Sequence, residues 1–259
     1  MLEEFEQQVR NAVPDPWEGQ IFTLSDAFKP REPLKYLIDG LLPEGSLSIV
    51  FGAPASFKSL VLGDAVVHVA VGHSWLGRSV IQSPVLWVDL DNGKRRTHGR
   101  FEALARELGI SEEPNFHYVS MPTPFFNAGN SKDVTDLEQR IRLMNIKLVV
   151  IDNLGIISSG VDENSDQMIT IMGNLRCLAE KTGAAIVIIH HQRKYTGKGR
   201  AGETLRGHSL IAAAIDLALL VTREEGSDTL RIKSTKDRDV EVLPIAADFT
   251  FEHKIGTKE

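Results

Sequence analysis

Residues 47–59 read Leu47-Ser-Ile-Val-Phe51-Gly-Ala-Pro-Ala-Ser-Phe-Lys-Ser59, a mostly apolar run that enters a small-residue loop and then a helical pattern. A strand, a loop and a helix N-terminus in direct succession make an anion site, because backbone N–H groups of the loop and the first helical turn converge on one place. The string follows G-x-x-x-x-G-K-[ST] except that Phe57 stands where the pattern has its second glycine. Gly52, Ala53, Pro54, Ala55, Ser56, Phe57, Lys58 and Ser59 are therefore the candidate phosphate-binding residues. Lys58 would reach the β/γ oxygens and the Ser59 hydroxyl would hold Mg2+. An ordinary strand-to-helix turn that happens to contain a lysine produces the same letters.

Outward from this loop, short apolar runs alternate with helical patterns, which predicts a mostly parallel sheet covered by helices on both faces. Strands are expected at 47–51, 85–89, 147–152 and 185–190, and helices at 59–71, 95–108 and 165–181. In the last helix Ile169, Met172, Leu175, Arg176 and Ala179 recur at three- and four-residue steps, and Thr182-Gly183 is the stop. A helix-like run is expected at 208–215. Strands follow at 214–222 and 229–234, with the turn signal Glu225-Gly-Ser-Asp228 between them and two further short runs ending at His253. They predict a C-terminal antiparallel extension. Residues 1–33 are broken by Pro14, Pro16, Pro30 and Pro33 and carry scattered aromatics, so they read as an arm or linker ahead of one domain at 34–259.

Composition narrows the class. The chain has 259 residues, 42% hydrophobic and 25% charged, the balance of a soluble α/β domain with a sizeable core. Cys177 is the only cysteine, which excludes an internal disulfide and a cysteine-based zinc site. The longest apolar run, 210–221, is interrupted by Asp216 and is shorter than the ~20 residues that span a bilayer, so no membrane is expected. The acidic start lacks a signal-peptide pattern, and a cytoplasmic location is expected, that of the host if the chain is phage-encoded. A net charge of −6 argues against a generally cationic nucleic-acid coat but leaves room for a local basic channel.

Two further strands end in acids. Leu148-Val-Val-Ile-Asp152 has the shape of a Walker B element, its carboxylate facing the Mg2+ water shell opposite Ser59; an Asp capping the next turn is the alternative. Val85-Leu-Trp-Val-Asp-Leu-Asp91 offers a base for the attacking water, and a position just past the strand tip favours Asp91 over Asp89. Asp91 could instead cap the helix that begins Gly93-Lys-Arg-Arg. His190-His191-Gln192 at the end of another strand suits a polar sensor better than a metal pair, since neighbouring strand residues face opposite ways.

Taken with the lead-in Leu37-Ile-Asp-Gly-Leu-Leu-Pro-Glu-Gly45 and a late Lys236-Asp-Arg238, this order of parts resembles the RecA/DnaB superfamily. Within it, the chain is most similar to the hexameric helicase-like ATPases related to plasmid RepA, over about residues 34–252. The resemblance implies a RecA-like P-loop core and ATP with Mg2+. It gives Lys58, Asp91, Asp152 and His191 or Gln192 the catalytic roles, and Ser59 and Asp152 the metal. The family usually has glutamate where Asp91 stands, so a shorter carboxylate implies slow hydrolysis.

The resemblance also implies a homo-oligomer, a hexameric ring, in which Lys236, Arg238 and Arg206 reach a neighbouring subunit's nucleotide; a solvated basic hairpin is the plain alternative. The loop at 193–206 is basic and glycine-rich, and Arg193, Lys194, Lys198 and Arg200 are the candidate contacts to single-stranded DNA. A flexible surface loop would look the same. Lys94, Arg95, Arg96 and Arg100 read as a solvated helix face. Three functions remain open: a replicative-type DNA helicase, an ATP-switched DNA-binding scaffold working with other replication proteins, and a regulatory ATPase with a protein partner.

Overall fold

The computed structural model describes residues 17, 19–110, 114–162, 165–191, 209–224, 226–239 and 241–250. The chain divides into two units, Met1–Leu34 and Lys35–Glu259. In the first, the described residues hold a short 3-10 helix, Leu24–Phe28, whose start is closed by Asp26. That carboxylate accepts from the Thr23 amide and hydroxyl at 2.7 and 2.8 Å.

The second unit opens with a small hairpin, β1 (Tyr36–Ile38) and β2 (Leu42–Pro43). Then come β3 (Leu47–Gly52), α1 (Lys58–Val71), β4 (Val85–Asp89), α2 (Lys94–Glu107), β5 (Phe116–Ser120) and α3 (Ser131–Leu143). They are followed by β6 (Leu148–Asp152), the single turn α4 (Leu154–Ile157), α5 (Asp166–Thr182), β7 (Ala185–His191) and α6 (Ser209–Ala214). The strands β8 (Leu217–Arg223), β9 (Thr229–Asp237) and β10 (Ile245–Asp248) complete it. Eight strands form one sheet in the order β10-β9-β8-β3-β7-β6-β4-β5. From β8 to β5 every neighbour is parallel, whereas β9 and β10 are antiparallel additions at one edge.

The continuous apolar runs have a direct cause. Along β3, β6 and β7 alternate residues enter two separate cores, Val50, Val150 and Val187 on one side and Ile49, Ile151 and Ile188 on the other. A strand buried on both faces is apolar along most of its length, and Ser48 of β3 and His190 of β7 are buried exceptions. The first core takes α1 and the Phe101–Leu104 face of α2; the second takes α3, α5 and Ile211 of α6. Gly183, at φ 68, ends α5 where the sequence places its stop.

Several elements differ from the sequence reading. β5 was not expected, because its burial is partial and it forms the sheet edge. The helix α3 was missed as well; it is highly charged and buries only Leu137 and Ile141. The face of α5 is rotated from the one read: Ile169 is exposed, and Met168, Ile171, Met172, Leu175, Leu178 and Ala179 are buried. The strand expected at 214–222 starts later, at Leu217, because α6 occupies 209–214. Glu225 and His253 lie outside the described residues. Among the described residues no helix is long and apolar enough to cross a membrane.

One close approach fixes the exit of β3. A Cβ on Gly52 would overlap the Val221 carbonyl oxygen of β8, so the loop can leave the sheet only through a glycine. Gly52→Ala is expected to destabilise the fold by about 1–3 kcal/mol, read as a lower denaturation midpoint at unchanged slope.

Candidate active site

Because β3 to β8 run parallel, the C-terminal ends of β3, β4, β6, β7 and β8 meet along one sheet edge. The register sets Gly52 beside His191 and Asp89 beside Asp152. Ligands of open parallel sheets bind at this edge.

The phosphate-loop candidates sit there. Ala53, Pro54 and Ala55 are exposed, Ser56 is buried, and α1 begins directly after Phe57. Phe57 has φ 65 and ψ 18, the left-handed conformation for which the motif uses glycine. A residue with a Cβ pays roughly 1–2 kcal/mol for that geometry. The Arg223 guanidinium lies 3.7 Å from the centre of the Phe57 ring, and the Phe249 ring packs against it at 5.9 Å.

Lys58, Ser59 and Asp152 form the centre. Lys58 is buried and its Nζ donates to the Ala53 carbonyl at 2.7 Å, folding back into the loop, with Ser56 Oγ at 3.4 Å. Burial lowers its pKa from 10.5 to about 8, against the opposing pull of Asp152. The Ser59 hydroxyl donates to Asp152 Oδ2 at 2.9 Å. The other oxygen, Oδ1, is buried with no hydrogen-bond partner among the described residues. Burial raises the Asp152 pKa from 3.8 to about 6 although the Ser59 hydrogen bond lowers it. An orphaned carboxylate oxygen beside a serine hydroxyl and a lysine is the donor set that Mg2+ and phosphate oxygens fit.

The two acids at the end of β4 and just beyond it have different surroundings. Asp89 is fully buried and saturated: Oδ1 accepts from the Asp91 and Asn92 amides at 3.1 and 2.8 Å, and Oδ2 from the Thr97 hydroxyl. It fixes the turn that carries Asp91. Asp91 is about half exposed and pairs with His191 Nε2 at 3.7 Å. Ligating atoms of Asp91, Asp152 and His191 all lie within 4.8 Å of one another. His190 is buried and His191 exposed, as strand alternation requires. Burial and the charge of Lys58 lower the His191 pKa, so its ring is neutral at neutral pH.

Other predicted residues fall elsewhere. Lys236 and Arg238 follow the antiparallel path of β9 to the opposite sheet edge, where Asp237 pairs with Leu217. Lys236 Nζ donates to the Ala212 carbonyl, and Arg238 to the Ala213 carbonyl and, at 3.3 Å, to Asp216. Gln192, Arg193, Lys194, Lys198, Arg200 and Arg206 lie outside the described residues. Lys94, Arg95 and Arg96 are exposed.

Arg100 is a correction to the solvated-face reading. It is half-buried, one guanidinium nitrogen, Nη1, is buried without a partner among the described residues, and its charge lowers the Asp152 pKa. The buried sequence Thr97, Phe101, Leu104 marks the inner face of α2, and Arg100 borders it. That spacing is the signal that would have separated it from its solvated neighbours. Thr97, Arg223 and Phe249 were also missed.

A model of the AAA domain family matches residues 15–197, more than half of the chain. The chain belongs to the AAA domain family. That family comprises P-loop ATPases related to RecA/DnaB-like helicases, in accord with the mostly parallel sheet and the strand-end site. The AAA domain match ends before β8, β9 and β10, although β8 pairs with β3 and brings Val221 beside Gly52 and Arg223 over Phe57. No curated protein matches the chain.

The buried charges oppose folding in the absence of ligand. An aspartate whose folded pKa lies above its unfolded value is unpenalised below about pH 4, loses stability as pH rises towards about 6, and carries the full cost above. Asp152→Asn is therefore expected to raise the stability of the ligand-free protein at pH 7 by roughly 1–3 kcal/mol. The gain should shrink as pH falls from 7 to 4.5, as measured by urea unfolding.

Proposed function

We propose that the chain hydrolyses ATP with Mg2+ as an oligomeric motor on single-stranded DNA, of the replicative helicase type. The ATPase part is supported by the AAA domain itself. The observation that carries it is the Ser59–Asp152 hydrogen bond, with the second Asp152 oxygen buried and free for a metal's water shell.

Each residue has a separable task. Lys58 leaves the Ala53 carbonyl to neutralise phosphate oxygens, and loop N–H groups orient them. Ser59 and Asp152 would hold magnesium, which when bound would supply charge neutralisation to the phosphates. Asp91, the exposed carboxylate at the β4 tip, takes the proton of the attacking water, and His191 fixes its orientation. Lys236 and Arg238 stand at the edge remote from their own phosphate loop, which suits a role in a neighbouring subunit's site and hence a ring. The basic segment 193–206 continues from the strand that carries His191 and supplies the DNA contact. The strained Phe57 and short Asp91 favour a second reading, a slow nucleotide-switched DNA-binding protein without unwinding.

Lys58→Ala should lower ATP turnover by at least about 100-fold, and Asp91→Asn should lower kcat by about 10²–10⁴-fold with ATP affinity within about twofold of wild type. Single-stranded DNA should stimulate the wild-type rate, less so at high salt. Full turnover by Lys58→Ala refutes the site. Stimulation without strand displacement selects the second reading, and indifference to DNA leaves a regulatory ATPase.

A further inference from the structure

The geometry points to Arg223 as a positioning residue for the phosphate loop: its guanidinium clamps Phe57 in the left-handed conformation from which α1 starts. The proposal rests on the reading of residues 52–59 as a nucleotide site. Arg223 lies outside the segment matched by the AAA domain family, and no motif in the sequence draws attention to it.

A glycine at position 57 would hold φ 65 without steric cost, whereas phenylalanine relaxes away from it unless its ring is held. The ring is held from two directions. The Arg223 guanidinium stacks 3.7 Å from its centre, a cation over an aromatic face, and Phe249 packs at 5.9 Å with the rings tilted by 52°. Arg223 is itself fixed: Nε donates to the Ser227 carbonyl and the terminal nitrogen to Asp228 Oδ1 at 3.2 Å. The Phe249 amide donates to the Asp228 carbonyl at 3.0 Å, so both of the ring's neighbours are rooted in the β8–β9 turn.

The consequence falls on the two residues that follow. Rotation about the Phe57 backbone would move Lys58 and Ser59 together, and Ser59 is tied to Asp152 by a single 2.9 Å hydrogen bond. Both ends of the loop thus rest on the end of β8, Gly52 against Val221 and Phe57 beneath Arg223. Arg223 acts through Phe57; it sets loop geometry and need not touch the nucleotide.

Four proteins test this: wild type, Arg223→Ala, Phe57→Gly and the double variant, each titrated with Mg-ADP by calorimetry, with Tm and the kcat and KM for ATP measured in parallel. Arg223→Ala should weaken Mg-ADP binding by about tenfold, and the same change in the Phe57→Gly background by less than about twofold. A residue that merely supports the hairpin, or that contacts the nucleotide directly, would lose equally in both backgrounds. Equal losses, or no loss from Arg223→Ala, overturn the proposal. Should Arg223→Ala not fold, Arg223→Met keeps the aliphatic stem and takes its place in the cycle. Lys58→Ala is the control for the site: undiminished Mg-ADP binding there sinks the nucleotide reading, while its loss alongside an uncoupled cycle sinks the role of Arg223 alone.

Discussion

Lys58 and Asp152 are ionisable groups held where water reaches neither, and the remainder of the site is organised around that cost. Each is displaced towards its neutral form by burial, the lysine to about 8 and the aspartate to about 6. In isolation such groups oppose folding. Their partial partners, the Ala53 carbonyl and the Ser59 hydroxyl, leave unmet capacity that phosphate oxygens and a hydrated divalent ion complement. The sheet makes the arrangement durable. Its parallel strands bring Gly52, Asp89, Asp152 and His191 to one edge in fixed register, and the two cores on either side prevent those ends from drifting apart.

The fold was legible where physics is local. Runs such as 47–51 and 185–190 announced doubly buried strands because apolar residues dominate both faces, and Gly183 announced the end of α5. Legibility failed where tertiary context decides. β5 gains its strand from pairing with β4 at the sheet edge, and α3 needs only Leu137 and Ile141 to dock. On α5 the spacing that includes Ile169 is as regular as the true buried stripe, and only packing distinguishes them.

The site divides the same way. Lys58, Ser59 and Asp152 were readable because each motif is a short string at a strand end. The preference for Asp91 over Asp89 came from its place past the strand tip, whereas the saturation of Asp89 required the structure, since one of its hydrogen bonds comes from Thr97, a full turn into α2. Arg100 was signalled only by its place beside the Thr97, Phe101 and Leu104 stripe, and Arg223 by nothing local, because the ring it covers lies more than 160 residues earlier in the chain. Phe57 was visible as a departure from pattern; what supports it was not.

If Lys58 and Asp152 receive the magnesium nucleotide, binding must change the protonation of both. Calorimetric titration with a non-hydrolysable ATP analogue at saturating Mg2+, repeated in buffers of different ionisation enthalpy, counts the protons moved. Binding beside a cation should drive off the proton of Asp152, giving release near pH 6, while phosphate oxygens should hold the proton on Lys58, giving uptake near pH 8. The sign of proton exchange should therefore reverse between pH 6 and pH 8, with release lost in Asp152→Asn and uptake lost in Lys58→Ala. Binding that moves no protons at either pH, or moves them alike in both variants, would contradict it.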